Sequence, residues 1–108
     1  MHGQMYDDLI RGLLSILPGQ MVQIVLYGST ARGTADSESD IDIALFVNDR
    51  LNSQQEDWLS GLVADLNLKY DKVFSVVDIE QQTYLKWRSV TPFYQNVDRE
   101  GIVLWKAA

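Results

Sequence analysis

The sequence contains no cysteine, a single histidine at position 2 and only two prolines among its 108 residues. Without cysteine the chain has no disulfide framework, no iron–sulfur cluster and no thiol nucleophile. One histidine alone supports neither a histidine-based metal centre nor a Ser-His-Asp triad.

Long apolar runs and an excess of positive charge are also absent. No run approaches the roughly 18 residues that a membrane-spanning helix needs, so we expect no membrane insertion. Nine Lys and Arg against fifteen Asp and Glu give a formal net charge of −6, and this balance disfavours direct DNA binding through phosphates. The first residues lack a basic segment followed by a small-residue cleavage site, so we expect a cytoplasmic protein.

The composition is that of a globular domain. Hydrophobic residues make up 46% of the chain and charged residues 22%, which are ordinary fractions for such a domain. The length predicts one domain over residues 1–108, and no repeat or linker interrupts it.

Hydrophobic periodicity predicts alternating helices and strands. We expect helices at 4–17, 54–69, 80–88 and 93–100, strands at 22–27, 40–47, 72–79 and 102–105, and a short helix followed by a loop at 29–39. Ser53, with Glu56 three residues later, fits a capping box before the 54–69 helix. The order predicts an α/β (α+β) fold, in which helices pack mainly on one face of a small mixed sheet of three to four strands.

A glycine–serine pair marks the point where a buried strand turns into a helix. Gly28 permits a tight turn and a close approach of a ligand to the backbone. A helix that begins at Ser29 directs free N–H groups and the positive end of its dipole beyond the strand end. Such a terminus suits a phosphate, and Ser29 adds a hydroxyl donor.

Two aspartates stand two residues apart at the start of the next predicted strand. Asp40 and Asp42 project from the same face, with Cα atoms roughly 6.5–7 Å apart. The opposite face is aliphatic, which fixes the register of the strand. Two unpaired carboxylates at this spacing repel each other, and a divalent cation such as Mg²⁺ relieves the repulsion.

Together these two features predict a nucleoside triphosphate bound with Mg²⁺. The chemistry would be attack of a hydroxyl on phosphorus, with the metal neutralising developing charge. The segment is not a Walker site, because no GK[ST] is present. It does not match the G-x-S-x-G nucleophile elbow either.

The string GSTARGTADSESDID resembles the G-S-x-A-R-G-x5-S-D-x-D signature of the minimal nucleotidyltransferase (MNT) group. This group belongs to the DNA polymerase β-like nucleotidyltransferases. The resemblance rests on Gly28, Ser29, Ala31, Arg32, Gly33, Ser39, Asp40 and Asp42. It implies the polymerase β-like nucleotidyltransferase fold, ATP as substrate and up to two Mg²⁺ ions. It also implies transfer of AMP to a hydroxyl acceptor on a HEPN-type helical partner, as in toxin–antitoxin pairs.

The resemblance further implies a third acid on the strand beside the D-x-D strand, and the sequence offers three possibilities for it. We predict Asp78 as the third catalytic and metal-binding carboxylate, beside Asp40 and Asp42. Asp71, before the strand, is the second possibility. In the third, the position falls on Ser75 and the acid is absent. Strand parity puts Ser75 and Asp78 on opposite faces.

The number of carboxylates bears on function. With three, the resemblance implies an adenylyl-transferring enzyme. With two, the alternative is a catalytically weak or inactive antitoxin that neutralises a helical partner by contact. Arg32 joins Gly28 and Ser29 as a predicted nucleotide-binding residue, with the aspartates or the triphosphate as its expected partner.

Overall fold

A computed structural model describes residues 3–34, 36 and 39–108, so His2 lies outside the described residues. The elements are α1 (Gly3–Ile16), β1 (Met21–Tyr27), α2 (Gly28–Arg32), β2 (Ile41–Val47), α3 (Ser53–Tyr70), β3 (Phe74–Glu80), α4 (Gln81–Trp87), α5 (Pro92–Glu100) and β4 (Ile102–Lys106). Their order is the predicted one. The start of β3 lies two residues later than expected.

The four strands form one mixed sheet in the order β3-β2-β1-β4. β1 is antiparallel to both β2 and β4, whereas β2 and β3 run parallel. The parallel pair requires a long connection that crosses the sheet, and α3 provides it. The predicted fold class, a small mixed sheet with helices, is confirmed.

The central strand β2 contributes to two cores because its side chains alternate between the faces. Ile43 and Leu45 are fully buried in the larger core, against α1 and α3. Ala44 and Phe46 are equally buried in a smaller core, against Tyr84 of α4 and Val97 of α5. The two long helices therefore cover one face, and two short helices cover part of the other face.

The start of α3 corrects the predicted cap by one residue. Asn52, not Ser53, is the N-cap, and its side chain accepts a hydrogen bond from the Gln55 amide at 2.8 Å. The Gln55 side chain accepts a bond in return from the Asn52 amide at 3.0 Å. The pattern is the expected capping box, formed by the Asn–Gln pair instead of the Ser–Glu pair.

An aspartate joins the two long helices. Asp8 of α1 accepts hydrogen bonds from Lys69 at 2.8 Å and from the Tyr70 hydroxyl, both on α3. Gln4 and Arg11 of its own helix donate to the same carboxylate at 2.7 and 3.1 Å. The bonds from Lys69, Tyr70 and Gln4, the Lys69 bond first, hold the pKa of Asp8 well below its ordinary value.

The helices are too short or too polar to cross a membrane. In the described part of the chain, no helix combines the length and the apolar character that crossing a bilayer requires.

Candidate active site

The turn between β1 and α2 depends on Gly28. Its φ of 74° lies in the left-handed region, where a side chain is strained. A Cβ atom at this position would also collide with Oδ2 of Asp42. The backbone of the turn therefore lies directly against the Asp42 carboxylate, and both the conformation and the contact require glycine.

Hydroxyl groups connect α2 to the residues that precede β2. The Thr30 hydroxyl donates to the carbonyl of Asp40 at 3.5 Å, and the Thr34 hydroxyl donates to the carbonyl of Ser29 at 3.4 Å. The Ser39 hydroxyl accepts from the Asp36 amide at 3.1 Å and donates to its carboxylate at 3.2 Å. Ser39 thus orients the loop, while the first amides of α2 have no partner within the helix.

The structure brings Asp40 and Asp42 together on the predicted face of the sheet. Asp40 is exposed just before β2, and Asp42, the second residue of the strand, is half-buried. Asp42 pairs in register with Tyr27 on one side and with Ser75 on the other. Loss of solvent raises the pKa of Asp42, the charge of Asp40 raises it further, and Arg32 opposes the rise. The ionised form of Asp42 is therefore disfavoured in the free protein.

Arg32 pairs with a residue that the sequence did not indicate. Its guanidinium donates to the Glu100 carboxylate at 2.8 Å, across 68 residues of chain. Of the expected partners, Asp42 lies within electrostatic reach of Arg32 but forms no ion pair with it among the described residues. Arg32 therefore lies near the predicted site, bonded to the last residue of α5.

Asp78 lies on the other face of the sheet, which corrects its predicted place. It pairs in register with Leu45, whose side chain points into the larger core. Asp78 lies close to Glu56 of α3, and the pKa of Glu56 is raised by burial first and then by the charge of Asp78. Because β-strand side chains alternate, Asp78 cannot reach the face of Asp42.

Asp71 and Ser75 occupy different positions relative to the paired aspartates. Asp71 is exposed at the C-cap of α3 with a φ of 52°, before β3 begins. Ser75 is the β3 residue beside Asp42. The strand position next to the paired aspartates thus holds a hydroxyl where the resemblance implies a carboxylate.

Comparisons with known proteins decide the family. The family model "Polymerase beta, Nucleotidyltransferase" matches residues 15–107. The chain belongs to this nucleotidyltransferase family. A relative from Methanocaldococcus jannaschii, named "Putative protein adenylyltransferase", is 35% identical over 91% of this chain and 92% of its own length.

Solved structures similar to this nucleotidyltransferase include toxin–antitoxin complexes. One is described as a toxin–antitoxin with AMP-PNP; it has a TM-score of 0.65 and 28% identity, over 94% of this chain and 73% of that one. Another is a tri-AMPylated HEPN toxin in complex with an MNT antitoxin from Shewanella oneidensis. It has a TM-score of 0.61 and 25% identity, over 95% of this chain and 71% of that one. The recognition of the MNT group is therefore confirmed.

The side chains of this nucleotidyltransferase fit a magnesium ion that is shared with a ligand. Mg²⁺ prefers oxygen ligands and is usually held by one or two carboxylates together with substrate phosphates. Asp40 and Asp42 supply two carboxylates, and the charge of Asp40 is one cause of the raised pKa of Asp42. Within residues 3–34, 36 and 39–108 no group of three His, Cys, Asp or Glu side chains could hold a metal. The remaining ligands would have to come from phosphate and water.

A cavity of about 470 Å³ opens on the Asp42 side of the sheet, beside β3. Val77, Phe93 and Tyr94 are among its lining residues. Val77 pairs with Ala44, two residues beyond Asp42, and Phe93 packs edge-on against Tyr27 at 5.4 Å. Neither Asp40 nor Asp42 lines this cavity, which lies further along the sheet than the paired carboxylates.

Sequence reasoning missed Glu100 and the place of Tyr27 beside Asp42. No local pattern links an arginine on α2 to a glutamate at the end of α5. Tyr27 and Ser75 are the register partners of Asp42. Ser75 was one of the three possibilities for the third acid position, and choosing it required the strand register, which the sequence alone does not specify.

Proposed function

We propose that this nucleotidyltransferase binds ATP with Mg²⁺ and transfers AMP to a hydroxyl group on a HEPN-type partner protein. The observation that carries the proposal is the contact between the Gly28 backbone and the Asp42 carboxylate. It brings a phosphate-binding turn and a cation-binding carboxylate into one site. This juxtaposition is what a magnesium-bound triphosphate requires.

Each polar group of the site has a proposed role. The hydroxyl of Ser29 and the first amides of α2 bind phosphate oxygens, and Arg32 binds the triphosphate. Asp40 and Asp42 hold one or two Mg²⁺ ions, which neutralise charge on the reacting phosphate.

The transfer itself exchanges one bond to phosphorus for another. The acceptor oxygen forms a bond to the α-phosphorus of ATP, and the bond between the α-phosphorus and pyrophosphate breaks. The acceptor proton leaves to solvent, and Asp78, on the opposite face of the sheet, is not placed to accept it.

The proposed acceptor follows from what the relatives are said to do. The similar relative is named a protein adenylyltransferase, and the similar complex contains an AMPylated HEPN toxin with its MNT antitoxin. A HEPN-type protein is therefore the acceptor that we propose for this chain. Because ATP is a cytoplasmic metabolite, we also propose the cytoplasm as the location.

The test measures transfer from ATP that is radiolabelled on its α-phosphate to a HEPN-type protein encoded beside this chain, with Mg²⁺ present. We expect Asp42→Asn to lower the transfer rate by roughly 100-fold or more, since the metal contributes several kcal/mol to the transition state. Asp78→Asn is the matched control and should retain activity, because it removes a carboxylate from the same sheet but from its other face. Equal activity of wild type and Asp42→Asn would refute the proposal.

The alternative function is neutralisation of the partner by contact alone, and Ser75 beside Asp42 favours it. Because the site has two carboxylates where the resemblance implies three, transfer could be slow or lost without loss of partner binding. A variant with both Asp40→Asn and Asp42→Asn distinguishes the functions. If it neutralises the toxin as well as wild type does, with no label on the toxin in either case, contact is the function.

A further inference from the structure

An ion pair connects the end of α2 to the end of α5. Arg32, the last residue of α2, donates from Nη1 to Oε2 of Glu100 at 2.8 Å. Arg32 remains 48% exposed, whereas the Glu100 side chain is 24% exposed. The arginine therefore remains open to a ligand while the glutamate lies against the protein.

The guanidinium can bond a second group while it is held. It carries five N–H donors in a planar fork, and the bond to Glu100 occupies one terminal nitrogen. Arg32 is also close enough to Asp42 to influence the charge of that carboxylate. One edge of the fork is thus fixed by Glu100, and other donors lie near the proposed triphosphate site.

The backbone around Glu100 is fixed by close packing on β1. The next residue, Gly101, donates its amide to the Val97 carbonyl at 2.8 Å. A Cβ atom on Gly101 would lie 2.5 Å from Cγ1 of Val25, so α5 ends in direct contact with the sheet. The backbone that carries Glu100 is therefore anchored on the sheet.

We propose that Glu100 is a positioning residue that holds the Arg32 guanidinium ready for the triphosphate. The inference rests on the proposed function, because it requires the nucleotide to bind beside Gly28 and Asp42. A long side chain loses rotamer freedom when it binds a ligand, and an existing bond removes part of that cost before the ligand arrives. Glu100 thus acts through Arg32 and makes no contact with the nucleotide.

The competing outcome is that Glu100 weakens nucleotide binding in the wild-type protein. A glutamate near a triphosphate could repel it, in which case Glu100→Gln would tighten nucleotide binding. Because the pair with Arg32 compensates the charge of Glu100, we expect weaker binding instead.

The experiment measures the dissociation constant of AMP-PNP with Mg²⁺ by calorimetry, using the full chain. Glu100→Ala should raise the constant by roughly threefold to tenfold. Glu100→Gln keeps a hydrogen-bond acceptor and should give an intermediate value. In an Arg32→Ala background, Glu100→Ala should have no further effect, because the residue that it positions is gone.

Lys69→Met is the matched control, since it removes another 2.8 Å ion pair on the opposite face of the sheet. It should leave the dissociation constant unchanged, and thermal unfolding verifies that all variants fold. The inference is overturned if Glu100→Ala binds AMP-PNP with the same dissociation constant as wild type, or more tightly. It is also overturned if Glu100→Ala weakens AMP-PNP binding in the Arg32→Ala background by the same factor as in wild type. Absence of binding by wild type would instead reject the proposed function, and this inference with it.

Discussion

At the scale of single residues, the site is defined by which side chains strand alternation brings to one face. Asp40 and Asp42 share a face by parity alone, so the sequence could predict their pairing. Whether the site has a third acid depends on the register between β2 and β3, in which Ser75 lies beside Asp42 and Asp78 lies beside Leu45. That register comes from long-range pairing, which no local pattern contains.

Replacing Ser75 with aspartate should complete a cluster of three carboxylates. Without divalent cation, Ser75→Asp should lower stability by about 1 kcal/mol, because a second negative charge lies directly beside Asp42. Added Mg²⁺ should reverse the loss and raise the unfolding temperature of Ser75→Asp more than that of wild type. Thermal unfolding with and without Mg²⁺ measures both effects.

Ser75→Ala serves as the control for this substitution, since it removes the hydroxyl without adding charge. An equal response of Ser75→Asp and Ser75→Ala to Mg²⁺ would show that position 75 does not face the cation. The same variants can be assayed for AMP transfer, where Ser75→Asp should exceed wild type.

At the scale of helices and strands, hydrophobic periodicity predicted the longer elements, because each of them buries apolar side chains. Leu9 and Leu13 of α1 are fully buried, as their spacing requires. Contacts between elements were not predictable in the same way. The bond from Arg32 to Glu100 joins elements 68 residues apart, and only the packing of α5 on β1 brings them together.

The contact between α1 and α3 should make stability depend on acid pH. Hydrogen bonds from Lys69, Tyr70 and Gln4 lower the pKa of Asp8 below its ordinary value of 3.8. The unfolded chain therefore takes up this proton first, so the stabilisation is present above about pH 4 and is lost as the pH falls towards the folded pKa. Urea unfolding at a series of pH values should show that the free energy of unfolding falls less steeply with acid for Asp8→Asn than for wild type.

Asp7→Asn provides a comparison on the same helix, because Asp7 is an exposed carboxylate next in the chain. This variant should retain the acid dependence of wild type. Parallel profiles for wild type and Asp8→Asn would contradict the assignment of the acid dependence to Asp8.

At the scale of the whole molecule, β2 holds both layers of helices through alternate side chains. Leu45 packs under α1 and α3, and Phe46 packs edge-on against Tyr84 of α4 at 4.7 Å. Neither layer can detach without exposing one face of this strand to water. The two cores should therefore unfold together.

Three tryptophans allow a test of this cooperativity. Trp58 lies on α3, Trp87 on α4 and Trp105 on β4, so each reports a different part of the fold. Variants that keep one tryptophan, with phenylalanine at the other two positions, should give coincident urea transitions by fluorescence. These should match the loss of far-ultraviolet circular dichroism, as expected for two-state unfolding. An earlier transition for Trp87 alone would show that the α4–α5 layer melts separately.

The absence of a side chain at Gly28 leaves the turn and the Asp42 carboxylate in direct contact. A ligand that draws either group towards itself therefore disturbs the other. Under the proposed function, binding of phosphate at the turn and of Mg²⁺ at Asp42 would be thermodynamically linked, and each ligand would change the affinity of the other by the same factor. In consequence, the protein would bind the magnesium–nucleotide complex as one species, and the affinities for free metal and for free nucleotide would not be independent.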